Sequence, residues 1–76
     1  MRILFMDRAK NAYIEMHDVS VHCTFGAAIA HFCAWKGLRE EDYLFWGVRK
    51  EATGHELGKS DSDTIYIDVG PRDAAN

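Results

Sequence analysis

The chain has 76 residues, 47% of them hydrophobic, with twelve acidic and nine basic side chains and a formal net charge of −3. This length allows one domain with one modest core and excludes a second domain. The absence of a basic run argues against nucleic-acid binding, and the absence of a segment that resembles a signal peptide argues against secretion. No apolar segment is long enough to span a bilayer. Two cysteines are too few for a disulfide scaffold.

The N-terminal third predicts a β-hairpin. Residues 1–6 (MRILFM) predict a strand that is apolar on both faces, and residues 7–11 (DRAKN) predict a turn. Residues 13–21 (YIEMHDVSV) predict a second strand, but its apolar residues change parity partway along. A β-bulge near His17-Asp18 would reconcile that change.

Residues 25–36 predict a helix with one apolar stripe. The stripe consists of Phe25, Ala28, Ile29 and Phe32. Thr24 is suited to the N-cap, because its hydroxyl can accept a hydrogen bond from a first-turn amide. Gly37 follows the last predicted helical residue, where a left-handed glycine commonly ends a helix. Leu38 is then in position to make the hydrophobic contact with the last turn that often accompanies such an ending.

The rest of the chain predicts two more strands. Residues 39–42 (REED) predict a solvated loop, and residues 43–46 (YLFW) a short aromatic strand. Residues 48–62 predict a polar segment with Leu57 as its main apolar anchor. Residues 64–69 (TIYIDV) alternate cleanly and predict the closing strand.

The order strand, strand, helix, strand, strand excludes a chain made only of right-handed parallel crossover units. It predicts a mixed four-stranded sheet with one helix packed across one face, which is a two-layer α+β domain. The sheet side chains predicted to face the helix are Ile3, Phe5, Phe45, Ile65 and Ile67. This is the β-grasp arrangement.

Four short motifs occur in an order that is typical of one known superfamily. They are Met1-x-Ile3-x-Phe5, Thr24-Phe25 through Lys36-Gly37-Leu38, Leu44-Phe45-Trp46-Gly47, and Glu56-Leu57-Gly58 through Asp63-Thr64-Ile65. Together they resemble the ubiquitin superfamily, and the last motif is especially similar to SUMO-like domains. The resemblance implies a ubiquitin-like domain over residues 1–70 and a flexible C-terminal tail over 71–76.

The ending departs from the conjugated members of this superfamily. Those members terminate, once processed, in Gly-Gly, whose carboxylate is adenylated and passed to a thiol and then to a lysine. Here Gly70 is followed by Pro71, whose ring fixes φ. We therefore expect neither a covalent modifier nor a sulfur carrier, and no enzyme.

The resemblance implies a non-conjugated, SUMO-like or ubiquitin-like domain, part of a larger protein, that docks non-covalently to proteins of the ubiquitin or SUMO pathway. We expect it to be monomeric and intracellular, in the cytoplasm or nucleus, with no membrane contact. The alternative is a Ras-binding-type module that binds a small GTPase, because the loop after Gly37 is short, as in those domains. Such a module would need basic residues on its second strand, where this chain has Glu15 and Asp18 and only Lys36 nearby at the helix end.

Alternation of the strands predicts a binding surface on the sheet face away from the helix. Leu44 matches, by its place before Phe45, the aliphatic residue at the centre of ubiquitin's recognition patch. The residues predicted to bind a protein are Leu44, Trp46, Tyr66, Asp68 and Arg49. The rival location is the edge of strand 13–19 beside the helix, where SUMO-like domains accept an extended peptide by adding a strand.

Histidines and cysteines are also present, but their spacing is not that of a known zinc finger or knuckle. The potential ligands are His22, Cys23, His31 and Cys33. Cys23 beside His22 would need an orienting acid to act as a nucleophile, and adjacent residues of an extended segment point to opposite sides. We predict no metal site, no cofactor and no catalytic residue.

Overall fold

The computed structural model describes residues 1–72, and in this range the chain forms four strands and one long helix. The elements are β1 (Arg2–Asp7), β2 (Ala12–Asp18), α1 (Phe25–Lys36), β3 (Tyr43–Trp46) and β4 (Thr64–Pro71). Short 3₁₀ turns at Glu40–Asp42 and His55–Leu57 precede β3 and β4. No helix within residues 1–72 is long and apolar enough to cross a bilayer.

The sheet is mixed, with strand order β2-β1-β4-β3. The two central strands, β1 and β4, run parallel, while β2 and β3 pair antiparallel to them at the two edges. The helix covers one face of this sheet. The predicted α+β class and β-grasp arrangement are confirmed.

The helix begins and ends where the sequence predicts, because both caps form. The hydroxyl of Thr24 accepts a hydrogen bond from the amide of Ala27 at 3.1 Å. At the other end Gly37 adopts a left-handed φ of 71°, and the amide of Leu38 donates to the carbonyl of Cys33 at 2.8 Å. This pair of residues closes the last turn and places Leu38 against the core.

The core lies between α1 and the inward side chains of the sheet. Its buried members are Met1, Ile3, Phe5, Phe25, Ala28, Ile29, Phe32, Cys33, Ile67 and Val69. Phe32 of the helix stacks on Phe5 of β1 with ring centroids 4.0 Å apart. Phe45 and Ile65 are partly buried against the same cluster. The predicted inward parity of the sheet is therefore correct.

The β-bulge lies at a different position from the predicted one. Glu15 pairs with Phe5 of β1 and Tyr13 pairs with Met6, so that Ile14 is the extra residue of β2. Because of the extra residue, Ile14 packs against the core while Met16, two positions later, is exposed on the opposite face of the sheet.

The predicted bulge near His17-Asp18 is therefore wrong. After Ile14 the alternation is regular: Met16 is exposed, His17 packs edge-on against core aromatic rings, and Asp18 is exposed. The strand also ends at Asp18 rather than at Val21, because the chain turns through residues 20–23.

The long connection between β3 and β4 is anchored by small residues rather than by Leu57. The Leu57 side chain is 54% exposed, so its predicted anchoring role is wrong. Val48 and Ala52 pack against the core instead. Gly54 is buried against the thioether of Met1, and a Cβ at this position would force the Met1 side chain to move.

The last strand is longer than predicted and ends at Pro71 rather than at Val69. Gly70 pairs with Leu44 and Pro71 pairs with Tyr43, both on β3. Gly70 is thus a buried residue of β4.

Arg72, which the sequence placed in a flexible tail over 71–76, is held against the 3₁₀ turn before β3. Its amide donates to the carbonyl of Asp42 at 2.9 Å, and its guanidinium Nε donates to the carbonyl of Glu41 at 2.8 Å. The domain therefore includes Pro71 and Arg72. The remainder of the predicted tail, 73–76, lies outside the described residues.

Candidate functional site

The sheet face away from α1, which we call the open face, carries large apolar side chains from all four strands. They are Leu4, Met6, Tyr13, Met16, Leu44, Trp46 and Tyr66. Leu4 pairs with both Met16 and Tyr66, so these three side chains form a row across β2, β1 and β4. Tyr66 is 62% exposed. Exposed aromatic and thioether side chains gathered in this way are typical of protein-binding surfaces.

Trp46 rests on the backbone of Gly70. A Cβ at Gly70 would lie 3.2 Å from the indole Cζ3, so the ring can take this position because the glycine has no side chain. The guanidinium carbon of Arg8 lies 4.2 Å from the centroid of the Trp46 ring, in cation–π contact. Trp46 is thus half-buried and held in place within the open face.

Leu44 and Asp68 are also half-buried on the open face. Asp68 pairs across strands with Met6 on one side and Trp46 on the other. Among the carboxylates of residues 1–72, Asp68 is the one that forms no hydrogen bond or ion pair with another residue.

Arg49, the fifth predicted binding residue, lies in the loop after β3. Its guanidinium is paired with Glu51 at 2.8 Å. The structure therefore brings Leu44, Trp46, Tyr66 and Asp68 together on the sheet but leaves Arg49 outside it. The cation beside Trp46 is Arg8 instead.

Sequence reasoning missed several members of the open face. Leu4 and Met6 could have been found from the alternation of β1, and Arg8 continues the same parity into the turn. Met16 was missed because the bulge was predicted near His17-Asp18, after this residue, whereas the structure has it at Ile14, before it. No feature of the sequence shows that Arg8 stacks on Trp46.

The rival location, the outer edge of β2, also has the features that strand addition requires. Val19 and Met1 exchange backbone hydrogen bonds of 2.8 and 2.9 Å, so the backbone groups of Val19 point toward β1. Successive residues of a strand direct these groups to opposite sides, so those of Asp18 and Met16 point toward the free edge. A shallow groove follows this edge beside α1, with the rings of His17 and His31 5.3 Å apart in its wall.

The charges at this edge do not match those expected for GTPase binding. Two cations near it pair with carboxylates of β2: Lys36 lies 3.9 Å from Glu15, and Arg2 lies 3.6 Å from Asp18. Both cations thus lie beside carboxylates of β2, and the edge does not present the basic surface that an acidic GTPase switch region would need.

The four potential metal ligands of the sequence are not brought together. His22 lies next to His55 and His31 next to His17. Cys23 is exposed, whereas Cys33 is buried in the core, where burial, helped by the nearby charge of Glu40, raises the pKa of its thiol. Within residues 1–72 no group of three or more side chains could hold a metal ion.

Comparison with solved structures shows a ubiquitin-like β-grasp fold. The chain is similar to the ubiquitin of Caldiarchaeum subterraneum, with a TM-score of 0.76 and 20% sequence identity over 95% of this chain and 92% of that chain. No protein-family model matches the chain, and no curated protein matches it either. At this identity the likeness shows the fold alone, and the predicted closer resemblance to SUMO-like domains stays a prediction.

Proposed function

We propose that this chain is a non-conjugated ubiquitin-like domain that acts as a non-covalent docking module for proteins of the ubiquitin or SUMO pathway. The observation that carries the proposal is the open face, where Leu44, Trp46 and Tyr66 lie together with apolar side chains from β1 and β2. Surfaces of this kind bind partners through a few central aromatic and aliphatic side chains.

The proposal that the domain is not conjugated rests on the sequence and on the end of β4. The 76 residues contain no Gly-Gly pair. Gly70 is buried in β4 beneath Trp46, and Arg72 is hydrogen-bonded to the turn before β3. Neither residue is free to enter the active site of an activating enzyme.

We expect no thioester when the purified chain is incubated with ATP and a ubiquitin- or SUMO-activating enzyme. The control is the same reaction with mature ubiquitin or SUMO, which gives a reductant-sensitive adduct on a non-reducing gel. An adduct through the C-terminus of this chain would contradict the proposal that it is not conjugated.

Docking can be tested by affinity capture from a lysate with wild-type chain and a Tyr66→Ala variant in parallel. Recovery of ubiquitin- or SUMO-pathway proteins by the wild type, and less by the variant, supports the proposal. Recovery of a small GTPase that depends on bound GTP would favour the alternative Ras-binding function instead.

With a captured partner in hand, we expect Tyr66→Ala or Leu44→Ala to weaken binding by about 1–2 kcal/mol, because truncation removes a central apolar contact. The wild-type dissociation constant should be roughly micromolar to sub-millimolar, as for other small patches. Calorimetric titration measures both, and thermal melting confirms that each variant is folded.

The matched control is Trp35→Ala, since Trp35 is 69% exposed and lies on α1, away from the open face. We expect this variant to bind as the wild type does. If Trp35→Ala weakens binding while Tyr66→Ala does not, the docking site is the groove between α1 and the edge of β2. Chemical shifts confined to residues 14–21 and 31–36 would lead to the same conclusion.

A further inference from the structure

Arg8 and Asp68 flank Trp46 on the open face, and neither side chain forms an ion pair with another residue of the range 1–72. The other arginines of residues 1–72 bond to carboxylates or to backbone carbonyls: Arg2, Arg39, Arg49 and Arg72. Arg8 only stacks on the indole. Asp68 has no hydrogen bond or ion pair within the same part of the chain, although it is half-buried between Met6 and Trp46.

A cation and an anion at separate positions on one apolar surface form a self-complementary pattern. When two copies of such a surface meet about a twofold axis, each residue i contacts residue j of the other copy, and j contacts i. Because each chain contributes one Arg8 and one Asp68, a twofold dimer would contain two equivalent ion pairs between the chains. The apolar side chains between them supply the buried contact that such an interface needs.

We propose that the open face binds a second copy of this chain, with Arg8 of each copy facing Asp68 of the other across the two Trp46 rings. The self-association is weak, because the face is small, and the chain is monomeric when dilute. Self-association goes beyond the proposed docking role. Because both use the open face, a dimer would hide Leu44 and Tyr66 from other partners.

The test is analytical ultracentrifugation of the chain at concentrations from about 10 µM to about 1 mM, a range in which weak dimers form by mass action. We expect the sedimentation coefficient of the wild type to rise with concentration and the rise to diminish as salt is added. Arg8→Asp and Asp68→Arg each place like charges opposite one another, so each should weaken association about tenfold or more. The double variant Arg8→Asp/Asp68→Arg restores opposite charges and should associate again.

Two controls separate this geometry from a general effect of net charge. Arg49→Asp and Asp61→Arg carry the same charge changes at exposed positions outside the open face, and we expect both to associate as the wild type does. Circular dichroism checks that each variant is folded. Should a single swap unfold the chain, the neutral variants Arg8→Gln and Asp68→Asn take its place and should also weaken association.

A wild type that stays monomeric throughout the range overturns the proposal. So does association that both single swaps leave unchanged, or a double variant that does not recover. A monomeric wild type that still binds a ubiquitin- or SUMO-pathway protein through Tyr66 would overturn the self-association alone and leave the docking function standing.

Discussion

Replacing Phe32 by alanine should lower the free energy of unfolding by about 3–5 kcal/mol, the usual cost of deleting a buried aromatic ring. Phe32 is fully buried and stacks on Phe5, so its removal opens a cavity between α1 and β1. The loss is a large fraction of the roughly 5–15 kcal/mol that stabilises a small domain. Urea denaturation followed by circular dichroism measures it.

The control is Trp35→Ala on the same helix, where the side chain is exposed and has no part in the core. We expect its stability to stay within about 0.5 kcal/mol of the wild type, as for most surface substitutions. Equal losses in the two variants would show that the orientation of α1 on the sheet is wrong.

Replacing Gly47 by alanine should cost about 2–4 kcal/mol, through strain at a positive φ and a steric clash. Gly47 directly follows β3 and has a φ of 105°, which residues with a Cβ rarely adopt. A Cβ there would also lie 2.9 Å from the carbonyl oxygen of Tyr66, so the backbone of β3 or β4 would have to move. Thermal or urea unfolding gives the loss of stability.

Gly37→Ala is the matched control, because Gly37 also has a positive φ, of 71°, but a Cβ there would meet no atom within 4 Å. We expect it to cost only about 1 kcal/mol, the penalty of the left-handed conformation. If Gly47→Ala is no more harmful than Gly37→Ala, the contact with Tyr66 is not a constraint on the strand.

Much of the fold could be predicted because local signals and burial agree. Thr24 and Gly37 mark both ends of α1, and the alternation of β4 identified Ile67 as a core residue and Tyr66 as an open-face residue. The position of a β-bulge depends on how the strand packs against its neighbours and the core, which the sequence pattern does not show. The bulge at Ile14 could not be located from a pattern that several positions would satisfy.

The candidate site was predicted less completely than the fold. Leu44, Trp46, Tyr66 and Asp68 follow from alternation, which needs only the strand boundaries. The position of Arg8 over Trp46 depends on a turn and a strand that are far apart in sequence, and no local rule connects them. The closing strand was predicted to end at Val69 and the tail to begin at Pro71, because a strand residue and a tail residue look alike when the partner strand is unknown.

The parallel pairing of β1 and β4 has a consequence for how the chain folds during synthesis. Ile3 pairs with Ile65 and Phe5 with Ile67, so the centre of the sheet joins the two extremes of the domain. Until β4 has left the ribosome, β1 has a partner on only one side and the helix has no complete surface to pack on. Contacts between such distant residues slow folding, since a long loop must close before they form. Folding of this domain should therefore begin only after β4 has left the ribosome, and a chain cut before residue 64 should remain unfolded.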